Sequence, residues 1–208
     1  MRLLNILIAA SLPLTVAAAQ DGNWKLIWGD DFDGPRGSAA DPAKWVYDTG
    51  ATGWGNHELE EYTRDPANAF LDGEGHLVIR AIRSESGKYT SAPLKTLGRF
   101  SFQYGRVEAR IRIPFCHGLW PAFWMLGENL REAGWPTAGE MDVMENIGKD
   151  PERIHGTVHG PGYSGPKALP PERGFQTAGG LATISTYFES IGRQVGSSSI
   201  WITGLTRS

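Results

Sequence analysis

Apolar and polar residues alternate with period two along much of this chain, and no segment repeats with the period of a long helix. Residues 106–113 give the cleanest case. Val107, Ala109, Ile111 and Ile113 fall on one face, and Arg106, Glu108, Arg110 and Arg112 on the other. Such a pattern predicts a strand with one side in a core and one in solvent. Shorter runs at 24–28, 44–47, 69–71, 76–81, 100–104 and 155–160 read as strands too. Turn residues fill the gaps: 30–35 closes the first run, and Asp72-Gly73-Glu74-Gly75 predicts a hairpin. Residues 118–126 are the most aromatic stretch. There is no internal repeat and no low-complexity linker, so the pattern points to one all-β domain, a sandwich or a barrel.

Against this background residues 139–146, Gly-Glu-Met-Asp-Val-Met-Glu-Asn, stand out. On a strand Glu140 and Asp142 point one way, while Met141 and Val143 point the other way into a core. Strict alternation would then bury Glu145, and an unpaired buried carboxylate is expensive. One β-bulge near Val143 and Met144 returns Glu145 to the face of the other two acids. The outer glutamates then lie roughly 13 Å apart at Cα, and their side chains can bring the carboxyls closer. Retaining glycosidases hold two carboxyls about 5–5.5 Å apart. At that separation two negative charges repel by ~3 kcal/mol, so one group should keep its proton near neutral pH. A solvated acidic strand face and a hard-cation site are the alternatives.

Eight tryptophans bear on that choice. Trp24, Trp28 and Trp45 sit among apolar neighbours and read as core. Trp54, amid glycines and polar residues, and Trp120 and Trp135, each before a proline, are candidate sugar-stacking platforms. Trp124 fits either role. The five histidines lack zinc-ligand spacing. No spacing argument puts His155 or His159 on the face of the acids. His159 is either a structural residue or a hydrogen-bonding partner of a sugar hydroxyl or of Glu145. Cys116, the single cysteine, can form no intramolecular disulfide and reads as a partly buried free thiol.

Composition narrows the class further. A net charge of -3 over 208 residues gives no basis for binding nucleic acid or an anionic membrane. Met1-Arg2, the apolar run from Leu3 to Val16 and Ala17-Ala18-Ala19 form a secretory signal over residues 1–19. The mature chain is therefore expected to start at Gln20 or Asp21, to be secreted to the exterior or cell wall, and to be a soluble monomer without a membrane anchor. No N-glycosylation sequon occurs. No catalytic metal or cofactor is expected; a structural calcium ion is left open.

The acidic octapeptide resembles the Glu-x-Asp-x-x-Glu signature of glycoside hydrolase family 16. Five further segments, in family order, make the chain similar to fungal laminarinase-type endo-β-1,3(4)-glucanases: WGDDFDGP at 28–35, GWGNHELEEYT at 53–63, YGRVEARI at 104–111, GLWPAFWMLGEN at 118–129 and HGTVHGPGYSG at 155–165. The resemblance implies a β-jelly-roll of two antiparallel sheets with a β-glucan cleft on the concave face. It implies Glu140 as nucleophile, Glu145 as acid/base and Asp142 as the helper that shares a proton with Glu140. It also places Trp54, Asn56, Glu58, Arg106, Trp120, Trp124 and His159 in cleft-lining segments. The two residues between Asp142 and Glu145 match the bulged form found in glucan hydrolases rather than the shorter form of xyloglucan transglycosylases. Non-catalytic β-glucan-binding proteins share the fold but typically lose the glutamates.

The likeness fades after about Lys167, so the family domain at 20–183 is expected to be incomplete and 184–208 to be an aberrant tail. Permissible codons for residues 183–208, read one nucleotide earlier in phase, spell DFHIFRIDWEAGRIKFYMDHGTYTV, which has the character of the absent family segment. The second base of each shifted codon is the first base of the codon present, which the residues fix except at serine, arginine and leucine. The expectation is a frameshifted or mis-spliced gene, with sheet edges left open where strands are lost.

Overall fold

Period-two patterning does produce strands here. The computed structural model describes residues 25–114 and 116–169, together with the strands Phe175–Gln176, Leu181–Tyr187 and Ser198–Thr206. In chain order the strands are β1 (Val46–Tyr47), β2 (Glu60–Tyr62), β3 (Ala69–Leu71), β4 (Leu77–Ile79), β5 (Ile82–Arg83), β6 (Tyr89–Ser91) and β7 (Leu94–Lys95). There follow β8 (Arg106–Arg112), β9 (Leu119–Gly127), β10 (Glu140–Asn146), β11 (Arg153–His159), β12 (Phe175–Gln176), β13 (Leu181–Tyr187) and β14 (Ser198–Thr206). Among the described residues the α-helix is a single turn, Leu130–Ala133, and no helix is long and apolar enough to cross a membrane.

The main sheet has the order β1-β7-β14-β9-β10-β11-β12, with antiparallel neighbours throughout. β8 pairs with β13, from Arg112 opposite Leu181 to Arg106 opposite Tyr187. On β8 Val107 is buried, as is Ile113 just beyond its end; Ala109 and Ile111 pack on the core, and Glu108, Arg110 and Arg112 are exposed, as the alternation predicts. The same apolar cluster takes Phe123 and Met125 from β9, Met141, Val143 and Met144 from β10, and Ile154 from β11. β8 and the main sheet thus close over one core, which makes the fold a sandwich. Burying a side chain such as Met125 or Met144 contributes about 1.5–3 kcal/mol, and both are essentially inaccessible to solvent.

Among the described residues the short, glycine-punctuated strands fall into four sheets, and β2 runs parallel to β6 in one of them. Other expectations are corrected. Residues 25–28 form no strand, and Trp24 lies outside the described residues, as does the secretory segment 1–19. Leu26 and Ile27 are exposed, while Trp28 is held by its ring contacts with Trp45 (5.4 Å) and Phe100 (5.2 Å). Residues 100–104 form no strand for the same reason. Phe100 and Phe102 stack at 5.8 Å, and a turn from Thr96 starts the segment. Cys116 is exposed rather than partly buried, because it lies in the connection leading to β9.

The weakly patterned tail differs most. β14 runs between β9 and β7, so β9 is paired on both sides, and β13 pairs β8 along one side. Backbone pairing can fill a ladder without a strict side-chain pattern, and 181–187 and 198–206 are rich in Thr, Ile and other strand formers. Residues 188–197 and 207–208 lie outside the described residues.

Candidate active site

Gly139 enters β10 with a φ of 75°, a left-handed backbone that glycine adopts freely. Against β9, Asp142 pairs with Trp124 but Met144 with Phe123. Against β11, Asp142 pairs with Thr157 but Glu145 with His155. β10 therefore carries one extra residue relative to both neighbours between Asp142 and Glu145, which is the bulge expected from the cost of burying Glu145. Val143 and Met144 are both buried, and Glu145 returns to partial exposure. Asn146 ends the strand: its buried amide donates to the carbonyls of Pro151 (3.0 Å) and Arg153 (2.8 Å), fixing the turn into β11.

Residues directly opposite in an antiparallel ladder share a face. Glu140 faces His159, Asp142 faces Thr157 and Glu145 faces His155. On the other side Leu126, Trp124 and Ala122 flank the same three acids. Trp120 continues that face two residues beyond Ala122, while Phe123 and Met125 point into the core. So His155 and His159 do share the face of the acids, contrary to the expectation from spacing. The register between β10 and β11 depends on the Asn146 turn, which pattern within one strand does not reveal.

Hydrogen bonds define the site. The Trp135 indole Nε1–H donates to Glu140 Oε2 at 2.8 Å, and the Trp135 and His159 rings lie 5.8 Å apart. His159 Nε2 is 3.1 Å from Asp142 Oδ2 and 4.0 Å from Glu140 Oε1. Thr157 donates from Oγ1 to Glu145 Oε2 at 3.5 Å. Burial raises the Glu140 carboxyl from its ordinary 4.5 to about 8, with the charge of Asp142 as the next cause. Burial also holds Asp142 well above the usual range, with the charge of Glu145 adding to it. The proton that crowded carboxylates demand thus falls on the Glu140–Asp142 pair.

Glu140, Asp142 and His159 also bring one potential metal-ligand atom each within 4.8 Å of one another. The Gly165 amide N–H, however, donates to His159 Nδ1 at 3.2 Å. A neutral imidazole that accepts at Nδ1 carries its hydrogen on Nε2, and that nitrogen has no lone pair for a cation. The cluster fits a shared proton better than a metal.

The remaining predicted residues divide. Trp54 sits in a one-turn 3₁₀ segment with a φ of 46°, its ring edge-on to Tyr62 at 5.6 Å. Asn56 donates to Glu58 (3.4 Å), which also accepts from the Tyr62 hydroxyl (2.9 Å), so these residues form one loop cluster. Arg106 lies on β8, in a different ladder from the acids, and its guanidinium pairs with Glu108. Sequence reasoning missed Thr157 and Gly165. The alternation of His155, Thr157 and His159 could have exposed the first once the register was known.

The chain is an all-β jelly roll with an acid cluster on one strand of its main sheet. Residues 60–181 match glycosyl hydrolases family 16, and the chain belongs to that family. It is 43% identical over 166 residues to a beta-glucanase of Rhodothermus marinus, covering 78% of this chain and 57% of that protein. Similarity to a glucan endo-1,3-beta-glucosidase of Cryptopygus antarcticus is 39% over 160 residues, 73% of this chain and 57% of the relative. The laminarinase catalytic domain of Thermotoga maritima superposes with a TM-score of 0.76 at 31% identity, covering 89% of this chain and 88% of that one. The chain thus spans little more than half the length of these two curated relatives. Both come from a bacterium and an arthropod, so they speak for the family and not for a fungal affinity.

Proposed function

We propose that this protein is a secreted, retaining endo-β-glucanase that cleaves β-1,3- or mixed β-1,3/1,4-glucan. The observation that carries the reading is the bulge in β10, which sets Glu140, Asp142 and Glu145 on one face. Glu140 attacks the anomeric carbon and the glycosidic bond breaks, while Glu145 protonates the departing oxygen. Glu145 then takes a proton from water, whose oxygen displaces Glu140 from the sugar. Asp142 holds the proton it shares with Glu140, freeing the nucleophile for attack. Trp120 and Trp124, on the acids' face, and Trp135, half exposed beside Glu140, are stacking surfaces for sugar rings. Trp54, Asn56, Glu58 and Arg106 are assigned to more distant sugars.

The proposal extends to the gene: residues 184–208 carry a family segment out of phase, and a frame-corrected chain is the faster enzyme. Transcript sequencing across codon 183 tests this; an unbroken frame rejects it. Activity is tested by reducing-end release from laminarin, lichenan and cellulose with both chains. Release from laminarin or lichenan that disappears in Glu140→Gln and Glu145→Gln supports the assignment. Tight glucan binding without release identifies a binding protein, and transfer to an added acceptor sugar identifies a transglycosylase.

A further inference from the structure

The loop after β11 is built to deliver one backbone amide. Gly160 and Tyr163 close it through reciprocal N–H to carbonyl bonds of 3.0 and 3.1 Å. Tyr163 lies so close over Gly160 that a Cβ there would stand 2.3 Å from its hydroxyl. Gly162 and Gly165 take left-handed φ values of 89° and 55°. The chain then turns the Gly165 N–H onto His159 Nδ1 at 3.2 Å, while His159 Nε2 faces Asp142 Oδ2 at 3.1 Å.

We propose that His159 is a positioning residue: the Gly165 amide locks its imidazole in the Nε2–H tautomer, which donates to Asp142 and thereby keeps Glu140 available as a carboxylate. This rests on the reading of Glu140 as nucleophile. An N–H donor favours the charged form of the carboxylate it meets. The Asp142–Glu140 pair therefore releases its proton at lower pH than it would beside an apolar residue. Among the described residues paired with β10 or lying on it, Glu145 and His155 are the other titratable groups on this face, while β9 contributes the uncharged Ala122, Trp124 and Leu126. Trp135 adds an uncharged donor to Glu140.

The test compares His159→Gln, whose amide can still donate from the Nε2 position, with His159→Leu, which cannot. In His159→Leu the acid limb of the kcat/KM profile on laminarin should move up by about one pH unit, the scale of one lost hydrogen bond to a charged group. His159→Gln should keep the limb where it is. A role in sugar binding alone would raise KM without moving the limb in either variant, and that result overturns the proposal. The ¹⁵N shifts of the His159 ring in the unsubstituted protein give a readout that needs no activity. A pyridine-like Nδ1 and a protonated Nε2 at neutral pH are expected, and the reverse pattern defeats the idea. If Glu140→Gln keeps its rate, the functional reading fails instead, which separates the two outcomes.

Discussion

Two acid-rich regions of this molecule behave in opposite ways. The turn that includes Asp30, Asp31, Asp33 and Asp41 holds four aspartates around a cavity of about 250 Å³ also lined by Lys44. Asp31, Asp33 and Asp41 are exposed. Asp30 accepts from the Phe32 amide (3.0 Å) and the Trp45 indole (2.8 Å), and pairs with Lys44 at 3.3 Å. On β10 three acids share a face with no lysine or arginine in the pairings that flank them. Trp135, Thr157 and His159, uncharged or weakly basic, are among the groups that bond them. A carboxylate that keeps water or a cation is a structural group. Burial and mutual crowding instead hold a proton on the Glu140–Asp142 pair, and that proton can be moved.

The largest effect that could break this contrast is on rate. Glu140→Gln should lower laminarin hydrolysis by about 10⁴-fold or more, on the scale seen when a nucleophile is removed. Asp33→Asn, in the turn, should stay within about twofold of the unsubstituted rate. Initial rates of reducing-end release check both, and equal losses would erase the distinction between the two regions.

Deleting Met144 is the next sharpest test. One residue fewer on β10 removes the bulge, and plain alternation then keeps Glu145 on the face of Glu140 and Asp142. Hydrolysis should persist at a reduced rate, and stability should fall by about 2–5 kcal/mol, the scale of losing a buried methionine side chain. Denaturant titration and rates read the two effects. Complete loss of activity in a folded variant would mean that the site needs the bulge itself and not only a shared face.

That bulge was legible in the residues because a buried, unpaired Glu145 has no acceptable alternative. The core faces of β8 and β10 were legible for the same reason, since alternation fixes which side is apolar. What escaped was whatever depends on two segments at once. His159 sits beside Asp142 only because the Asn146 turn sets the β11 register. Residues 25–28 alternate like a strand yet have no partner strand among the described residues, and ring stacking on Trp28 takes the place of a ladder. The tail failed in the other direction, since 198–206 lacks strong alternation but has a partner along its whole length in β9.

Stability against pH should separate the regions further. The Glu140 carboxyl sits near 8 in the folded chain against an ordinary 4.5. Between those values the folded state holds a proton that the unfolded state releases. Its contribution is therefore fully present below about 4.5 and is lost as pH rises through about 8. Glu140→Gln removes that dependence. Above pH 8 the variant should be more stable by about 2 kcal/mol, or roughly 4–8 °C in Tm. Thermal melts at pH 5 and pH 9 read the sign, and a variant destabilised at pH 9 would show that Glu140 is ionised there without cost.

The smallest expected effect belongs to Lys44→Met. Lys44 Nζ bonds the Gly29 carbonyl at 2.7 Å as well as Asp30, but Asp30 keeps its amide and indole donors when the ammonium is gone. The Lys44 side chain is also 35% exposed, so solvent screens the pair. The loss should be no more than about 1 kcal/mol, with glucan hydrolysis unchanged. Denaturation midpoint and rate are measured on the same sample. A loss of several kcal/mol, or any large fall in rate, would mean that the turn depends on its cation as the β10 acids depend on their shared proton, and the two clusters would then differ in degree rather than in kind.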